Sequence, residues 1–352
     1  MLLPILDRVL SGRASRFALD AGARAYARGA DAAARRYVRF AVSAAPRDLR
    51  VAQAAAQAAL QAQDAPMALR LMDHAARLVP RDFVLRGRAL RLRSALGDVD
   101  GAHRRAEQAL VESGEDDPGP ELMELVAELR MPGPGYLEIL AQVQAALRPR
   151  TYLEIGVADG KSLSLAGGAQ RALGVDPAPY VSVALPPCAQ LFRETSDDFF
   201  ARHDVRALCD GLPVDLAFID GMHLFEFALR DFINVERLCA PGATVLLHDC
   251  YPLERRSAER VQRTGFWTGD VWRTLLALKK YRPDLRIATL ATRPSGLCFV
   301  RGLDPGSRVL PERYEEVVAE IGALDFGVLA QDQAALLGLV PNDGETIRRL
   351  LA

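Results

Sequence analysis

Residues 151–162 read Thr-Tyr-Leu-Glu-Ile-Gly-Val-Ala-Asp-Gly-Lys-Ser. A short apolar run (Tyr152, Leu153, Ile155) breaks into a turn that carries Gly156 and Gly160, with Glu154 set inside the run. A strand that ends in such a turn and opens a helix builds the edge of a nucleotide-cofactor site. Its glycines let backbone come close to a ligand, and the helix N-terminus aims free N–H groups at it. The turn therefore calls for an α/β sheet around residue 150, with further strands on either side.

The following sequence supplies them. Strands are expected at 151–155, 171–176, 189–194, 214–219, 243–248, 286–291 and 296–301. Helical patterns at 136–147, 197–203, 224–238 and 270–281 alternate with them, as in a parallel sheet wrapped by helices. Arg-Pro-Ser-Gly at 293–296 is a tight connection that suits an antiparallel hairpin at the sheet edge. In such sheets ligands lie beyond the carboxyl ends of the strands. The polar residues at those ends are Asp159, Asp176, Ser196, Asp220, His223, His248 and Asp249. Six of the seven are titratable, and packing alone does not explain their collection on one rim. The loop spacing is Glu-x-Gly-x-x-x-Gly, not Gly-x-Gly-x-x-Gly. It suits a cofactor without a pyrophosphate, S-adenosylmethionine (SAM), over NAD.

The N-terminal third has another logic. Pro46-Arg47-Asp48 recurs as Pro80-Arg81-Asp82, 34 residues later. Ala34, Ala68 and Ala102 follow the same period, as do Ala41, Ala75 and Ala109. Small residues let paired helices approach, and proline stops the second helix; this is the tetratricopeptide (TPR) pattern. Gly114 replaces the proline in the third copy. Polar, Pro/Gly-rich breaks at 113–120 and 131–135 bracket one further helix at 121–130. The expected organisation is a TPR-like helical domain over 1–120, a sheet domain over 131–302 and a helical extension over 303–352.

Composition narrows the function classes. Net charge is −1, which gives no long-range pull toward nucleic acid or an anionic membrane. Cys188, Cys209, Cys239, Cys250 and Cys298 are odd in number and scattered, as expected of reduced thiols in a cytoplasmic protein. The opening run MLLPILDRVL is too short and too interrupted, by Asp7, for a secretory leader. No stretch approaches a membrane span.

Four pieces in order carry a resemblance: Tyr152-Leu-Glu-Ile-Gly-Val-Ala-Asp-Gly160, Gly174-Val-Asp-Pro177, Phe218-Ile-Asp-Gly-Met-His223 and Leu246-Leu-His-Asp249. Gly269-Asp-Val-Trp272 is a weaker fifth. Residues 150–301 resemble a class I SAM-dependent methyltransferase, in the branch of catechol-type, macrocin-type and cephalosporin-hydroxylase-like O-methyltransferases. The resemblance implies a Rossmann-like doubly wound sheet with SAM across its rim. Glu154, Gly156, Gly160 and Ser162 would meet the methionine part. Asp176 would accept from the ribose hydroxyls, and Ser196 and Asp197 would lie near the adenine, where they also suit an N-cap for helix 197–203. Asp220 would face the SAM amino group and a divalent metal, with Asp249 as second ligand. Such oxygen ligands favour Mg²⁺. The catechol-type pattern has Asn as third ligand; here that position is Cys250, a poor Mg²⁺ ligand, so the neighbouring His248 or a water is left to complete a site, and softer ligands would favour another metal. His223 stands where those enzymes carry a catalytic Lys, and it is a candidate general base as well as a candidate cap for the helix after it. Trp267 and Trp272, with Arg255 and Arg256, fall in the long insertion after strand 243–248, where a substrate lid would sit.

The function this implies is O-methylation of a small-molecule hydroxyl, on a sugar or natural product. Two rivals follow from the repeats: a protein methyltransferase that recruits its target through them, and a scaffold whose sheet domain has lost catalysis. Repeats of this kind also self-associate.

Overall fold

The computed structural model describes the backbone of residues 3–352 and side chains from residue 12 onward. The side chains of the opening run MLLPILDRVL lie outside the described residues. The chain divides into two compact units, Met1–Leu129 and Arg130–Ala352.

The first unit is all helical: α1 (Leu3–Ala27), α2 (Asp31–Ala44), α3 (Leu49–Gln61), α4 (Ala65–Leu78), α5 (Phe83–Ala95) and α6 (Val99–Ser113), with α7 (Gly119–Arg130) running to the boundary. Sequence neighbours pack as pairs: α1 on α2, α3 on α4, α5 on α6. All six alanines of the 34-residue period are 0% exposed. A methyl is the largest group these contacts admit, so helices approach closely there. The period also sets the helix starts. Asp48 and Asp82 of the two Pro-Arg-Asp segments cap α3 and α5 by accepting from backbone N–H groups. Asp64 and Asp98, again 34 apart, cap α4 and α6.

The second unit holds the sheet. In chain order it comprises α8 (Tyr136–Leu147), β1 (Thr151–Ile155), β2 (Arg171–Val175), β3 (Ala189–Phe192), α9 (Ser196–Arg202), α10 (Val205–Leu208), β4 (Val214–Ile219), α11 (Phe225–Glu236), β5 (Cys239–His248), α12 (Trp272–Tyr281), β6 (Arg286–Leu290) and β7 (Leu297–Arg301). The tail adds α13 (Val309–Glu312), α14 (Tyr314–Gly322), α15 (Gln333–Leu337), β8 (Leu339–Val340) and α16 (Gly344–Leu351). The strand order is β3-β2-β1-β4-β5-β7-β6-β8. Strands β1 to β5 pair in parallel, and β7 is antiparallel to both β5 and β6. Strand alternation sends Leu153, Ile155, Ala217 and Ile219 to one apolar layer, and Tyr152, Leu216 and Phe218 to the other. Helices α11 and α12 cover the first face, and α8 covers the second.

Two elements depart from expectation. No α-helix follows β1; the chain makes only a 3-10 turn, Leu163–Ala166, before Gly167-Gly168 ends it. Paired glycines cost too much backbone entropy to continue a helix, so no helix dipole backs the glycine loop. The tail, expected to be helical over 303–352, is not so throughout: α15 stops at Leu337. Gly338 takes a left-handed φ of 70°, and Leu339 and Val340 then pair in parallel with β6 as an extra edge strand. Among the described residues, no helix is long and apolar enough to cross a membrane.

Candidate active site

Beyond the carboxyl ends of β1, β2, β4 and β5 lies a cavity of about 760 Å³. The sheet order sets its layout: Asp176 and Ser196 on the β2–β3 side, Asp220 and His223 in the middle, His248 and Asp249 on the β5 side. The structure brings Asp176, Ser196, Asp197, Asp220, His223, His248, Asp249 and Gly156 to this one cavity. Glu154, Gly160 and Ser162 do not line it.

Those three residues build the loop instead. Glu154 is fully buried on the Tyr152 side of β1, where it accepts from the Tyr152 hydroxyl at 2.6 Å and the Ser162 hydroxyl at 2.7 Å. Burial pushes its carboxyl up to about 8. Gly156 has φ 88°, and a Cβ there would overlap the Asp220 carbonyl oxygen. Its smallness is needed for one loop to press on another: Asp220 N–H donates to Ile155 O at 2.8 Å. Asp176 ties the other side, with one carboxylate oxygen accepting from Val157 and Ala158 N–H at 2.9 Å each and the other from Ala178 at 2.8 Å.

Beyond β3, the cap of α9 is Thr195, whose hydroxyl accepts from Asp198 N–H at 3.1 Å; neither Ser196 nor Asp197 takes that role. The reason is register: the helix starts at Ser196, so the residue before it holds the cap. Asp197 is held by Arg230 of α11 through two bonds of 2.6 Å. Ser196 hydrogen-bonds the side chain of Asp231.

On the β4–β5 side, four side chains form a box. His223 Nε2 lies 3.0 Å from Asp249 and 3.4 Å from Asp220; His248 Nδ1 lies 3.1 Å from Asp220 and 3.4 Å from Asp249. The Ser295 hydroxyl donates to the free oxygen of Asp249 at 2.5 Å. The Tyr136 ring packs on His248 at 4.2 Å, and the Trp267 ring on His223 at 5.2 Å. Burial alone would lower both imidazoles, but the two carboxylates outweigh it. His223 is held well above its ordinary value, and His248 is pushed up to about 10. Burial would raise Asp249, but the two imidazoles hold it well below the usual range. Each imidazole thus stands between Asp220 and Asp249, an arrangement that favours its charged form. His223 and Asp249 both have positive φ, 56° and 53°, a backbone cost that is kept where surrounding contacts over-determine it.

Gly269 and Asp270 supply those contacts at His223. A Cβ on Gly269 would overlap the His223 carbonyl oxygen, which accepts from Asp270 N–H at 3.1 Å. The buried Asp270 carboxylate then caps α11, accepting from Phe225 N–H at 2.7 Å while Arg260 and Arg273 neutralise it. His223 therefore is not the cap of α11; its ring is turned to the carboxylates. The Gly269-Asp270 pair was a visible signal for this brace. Asp231 and Ser295 carried a weaker one: Asp231 is a carboxylate on the apolar stripe of α11, among Ala228, Leu229 and Phe232.

Asp220, His223 and Asp249 each offer one atom to a common point, all within 4.8 Å of one another. The donor set thus holds an imidazole. Cys250 is outside it: the thiol is fully buried and donates back to Leu247 O. In the insertion, Trp267 and Phe266 line the cavity, whereas Trp272 is core at 1% exposure. Arg255 pairs with Asp325, and Arg256 with Glu254, so both guanidiniums are engaged outside the cavity lining.

Residues 153–250 match a family of methyltransferase domains. No curated protein matches the chain. Among solved structures, the cofactor-bound protein Rv0187 from MTB is similar at 20% identity and a TM-score of 0.39, over 55% of this chain and 94% of that one. The O-methyltransferase TomG from Streptomyces achromogenes, involved in tomaymycin synthesis and solved with SAM, is similar at 15% identity and 0.37, over 55% and 94%. An O-methyltransferase from Bacillus cereus in complex with SAH gives 14% and 0.37, over 54% and 94%. The residues matched by the methyltransferase-domain family, 153–250, run from β1 to β5 and supply most of the polar rim around this cavity.

Proposed function

We propose that this protein transfers the SAM methyl group to a hydroxyl oxygen of a small-molecule acceptor. One observation carries the reading: a single cavity joins the ribose-suited Asp176 to the Asp220–His223–His248–Asp249 box. The donor would lie along the rim with its sulfonium beside Asp220, and the acceptor would enter on the β5 side under Trp267. The sulfonium loses its charge in the transition state, so an apolar lining from Ile155, Val175, Phe227 and Phe266 favours transfer. The protein's part is to align the acceptor oxygen with the methyl, exclude water and take the hydroxyl proton.

His223 is the proposed base. Its Nε2 is held by both carboxylates, and its Nδ1 is buried without a protein partner beside Trp267. The carboxylates beside it favour the charged imidazole, and a sulfonium entering the same cavity would oppose that charge. A divalent cation also fits, on Asp220, His223 and Asp249, in exchange for the imidazole proton. It would lower the pKa of an acceptor hydroxyl. An imidazole in the donor set favours Mn²⁺ or Zn²⁺ over Mg²⁺. His248 Nδ1 bonds Asp220 and would orient that carboxylate.

The helical unit is read as TPR-like repeats. A second reading, a protein acceptor recruited through them, has one observation behind it: a groove among α4, α5 and α6 lined by Arg77, Arg86 and Arg105. Calorimetry with SAM, followed by methyl-label transfer to a panel of phenols, catechols and sugars, tests the first reading. Binding with labelled small-molecule product supports it. Absence of SAM binding, or labelling of proteins alone, overturns it.

A further inference from the structure

Asp231 has no role in the chemistry above, yet it is placed as a ligand-reading group. It lies on the buried face of α11 with only 3% exposure, and it lines the cavity. A carboxyl in such a place is costly without partners. The Ser196 hydroxyl is one. The adjacent Arg230 is committed elsewhere, to both oxygens of Asp197 and to the Tyr314 hydroxyl. A Cβ on Gly221 would sit 3.7 Å from Asp231 Oδ2, so this carboxylate stands directly behind the β4–α11 loop that forms the cavity wall. Burial pushes the group up to about 7, the condition of an acid short of donors.

The part of the donor that reaches this point follows from the sheet. With the ribose at Asp176 on the end of β2, and the reacting sulfur toward β4, the base extends the other way, past β3 to the start of α9. Ser196 and Asp231 close that end from two helices, and Phe227, one turn before Asp231, supplies an aromatic wall. Adenine presents an exocyclic amine with two N–H donors and no charge, which matches an acceptor that already has one hydroxyl donor.

We propose that Asp231 reads the base of the methyl donor, accepting from the adenine amine and selecting adenine over a 6-oxopurine. The inference rests on the SAM reading of the cavity. The test is calorimetric binding of S-adenosylhomocysteine, S-inosylhomocysteine and the 6-deamino analogue to the full chain. Wild-type protein should favour S-adenosylhomocysteine over both analogues by about 10²-fold, because each leaves a buried acceptor unpaired. Asp231→Asn can donate to a 6-oxo group, so its preference over S-inosylhomocysteine should fall at least about tenfold. An unchanged ratio in the variant overturns the proposal while leaving the SAM site intact. Equal binding of the 6-deamino analogue by wild type does so too, without needing any variant to fold. No binding of S-adenosylhomocysteine by wild type overturns the SAM reading as well.

Discussion

The two units use the same residue, aspartate, in opposite ways. In the helical unit Asp48, Asp82 and Asp98 accept from N–H groups two or three residues ahead, and each serves the helix that it begins. In the sheet unit Asp220 and Asp249 end different strands, and their partners are side chains brought together by the fold. The first kind of aspartate reports local structure and contributes stability. The second reports the sheet's order and, on the proposed reading, carries chemistry. Removing one of each should therefore separate the readouts.

The largest effect is expected at Asp220→Ala. It removes the carboxylate shared by both imidazoles and, on the proposed reading, the group beside the sulfonium. Methyl transfer should fall by about 10³-fold or more, as when a preorganised charge partner is removed. Turnover retained within tenfold, measured with labelled donor, would break the assignment. His223→Ala should cost about 10²-fold in kcat if His223 is the base. The sharper readout is the pH–rate profile: a base acts only when unprotonated, so the rate should rise with pH as His223 loses its proton, and the variant should lose that rise; an unaltered profile removes His223 from that role.

Glu154 tests whether a motif residue outside the cavity belongs with the first kind. Its ordinary value is 4.5, and burial holds it near 8 in the fold. Between those values the folded chain binds more protons than the unfolded one. Stability should then fall as pH rises from about 4.5 to about 8, with this contribution complete below that window. Glu154→Gln should flatten the dependence, compared in urea melts at about pH 5.5 and about pH 8.5. A variant that keeps the full slope would refute this account of Glu154.

These contrasts explain how much was legible in the sequence. Strand ends and their acids could be read because an apolar run followed by Asp is a local pattern, as at Phe218-Ile-Asp220. Period-34 alanines could be read for the same reason. The inward turn of Glu154 was half visible, since residues 152 and 154 share a strand face. Its lock on Ser162 depended on the chain failing to form a helix before Gly167-Gly168. The cap at Asp270, the pairing of Asp231 with Ser196 and the left-handed φ of His223 each join segments far apart in sequence. No single window of residues contains both partners. Strand β8 was missed because two residues of edge pairing leave no periodicity to detect.

The smallest effects lie within the helical unit, and they ask whether a sequence period fixes an energy. Asp64 and Asp82 are both caps, yet their surroundings differ. Asp82 is half-buried and accepts one backbone bond, from Leu85 at 2.9 Å. Asp64 is buried, and it also accepts from the Tyr26 hydroxyl at 2.9 Å and Arg35 Nε at 2.6 Å. Replacing Asp82 with Ala should cost about 1 kcal/mol, the ordinary worth of a cap. Asp64→Ala should cost about 2–3 kcal/mol, because it also leaves a buried tyrosine hydroxyl unpaired. Neither change should alter turnover per folded molecule, read as kcat after thermal melts of each variant. Equal losses at the two sites would mean that repeat position alone sets the energy. Unequal losses would mean that the fold has recruited one cap of the period to join α1, α2 and α4.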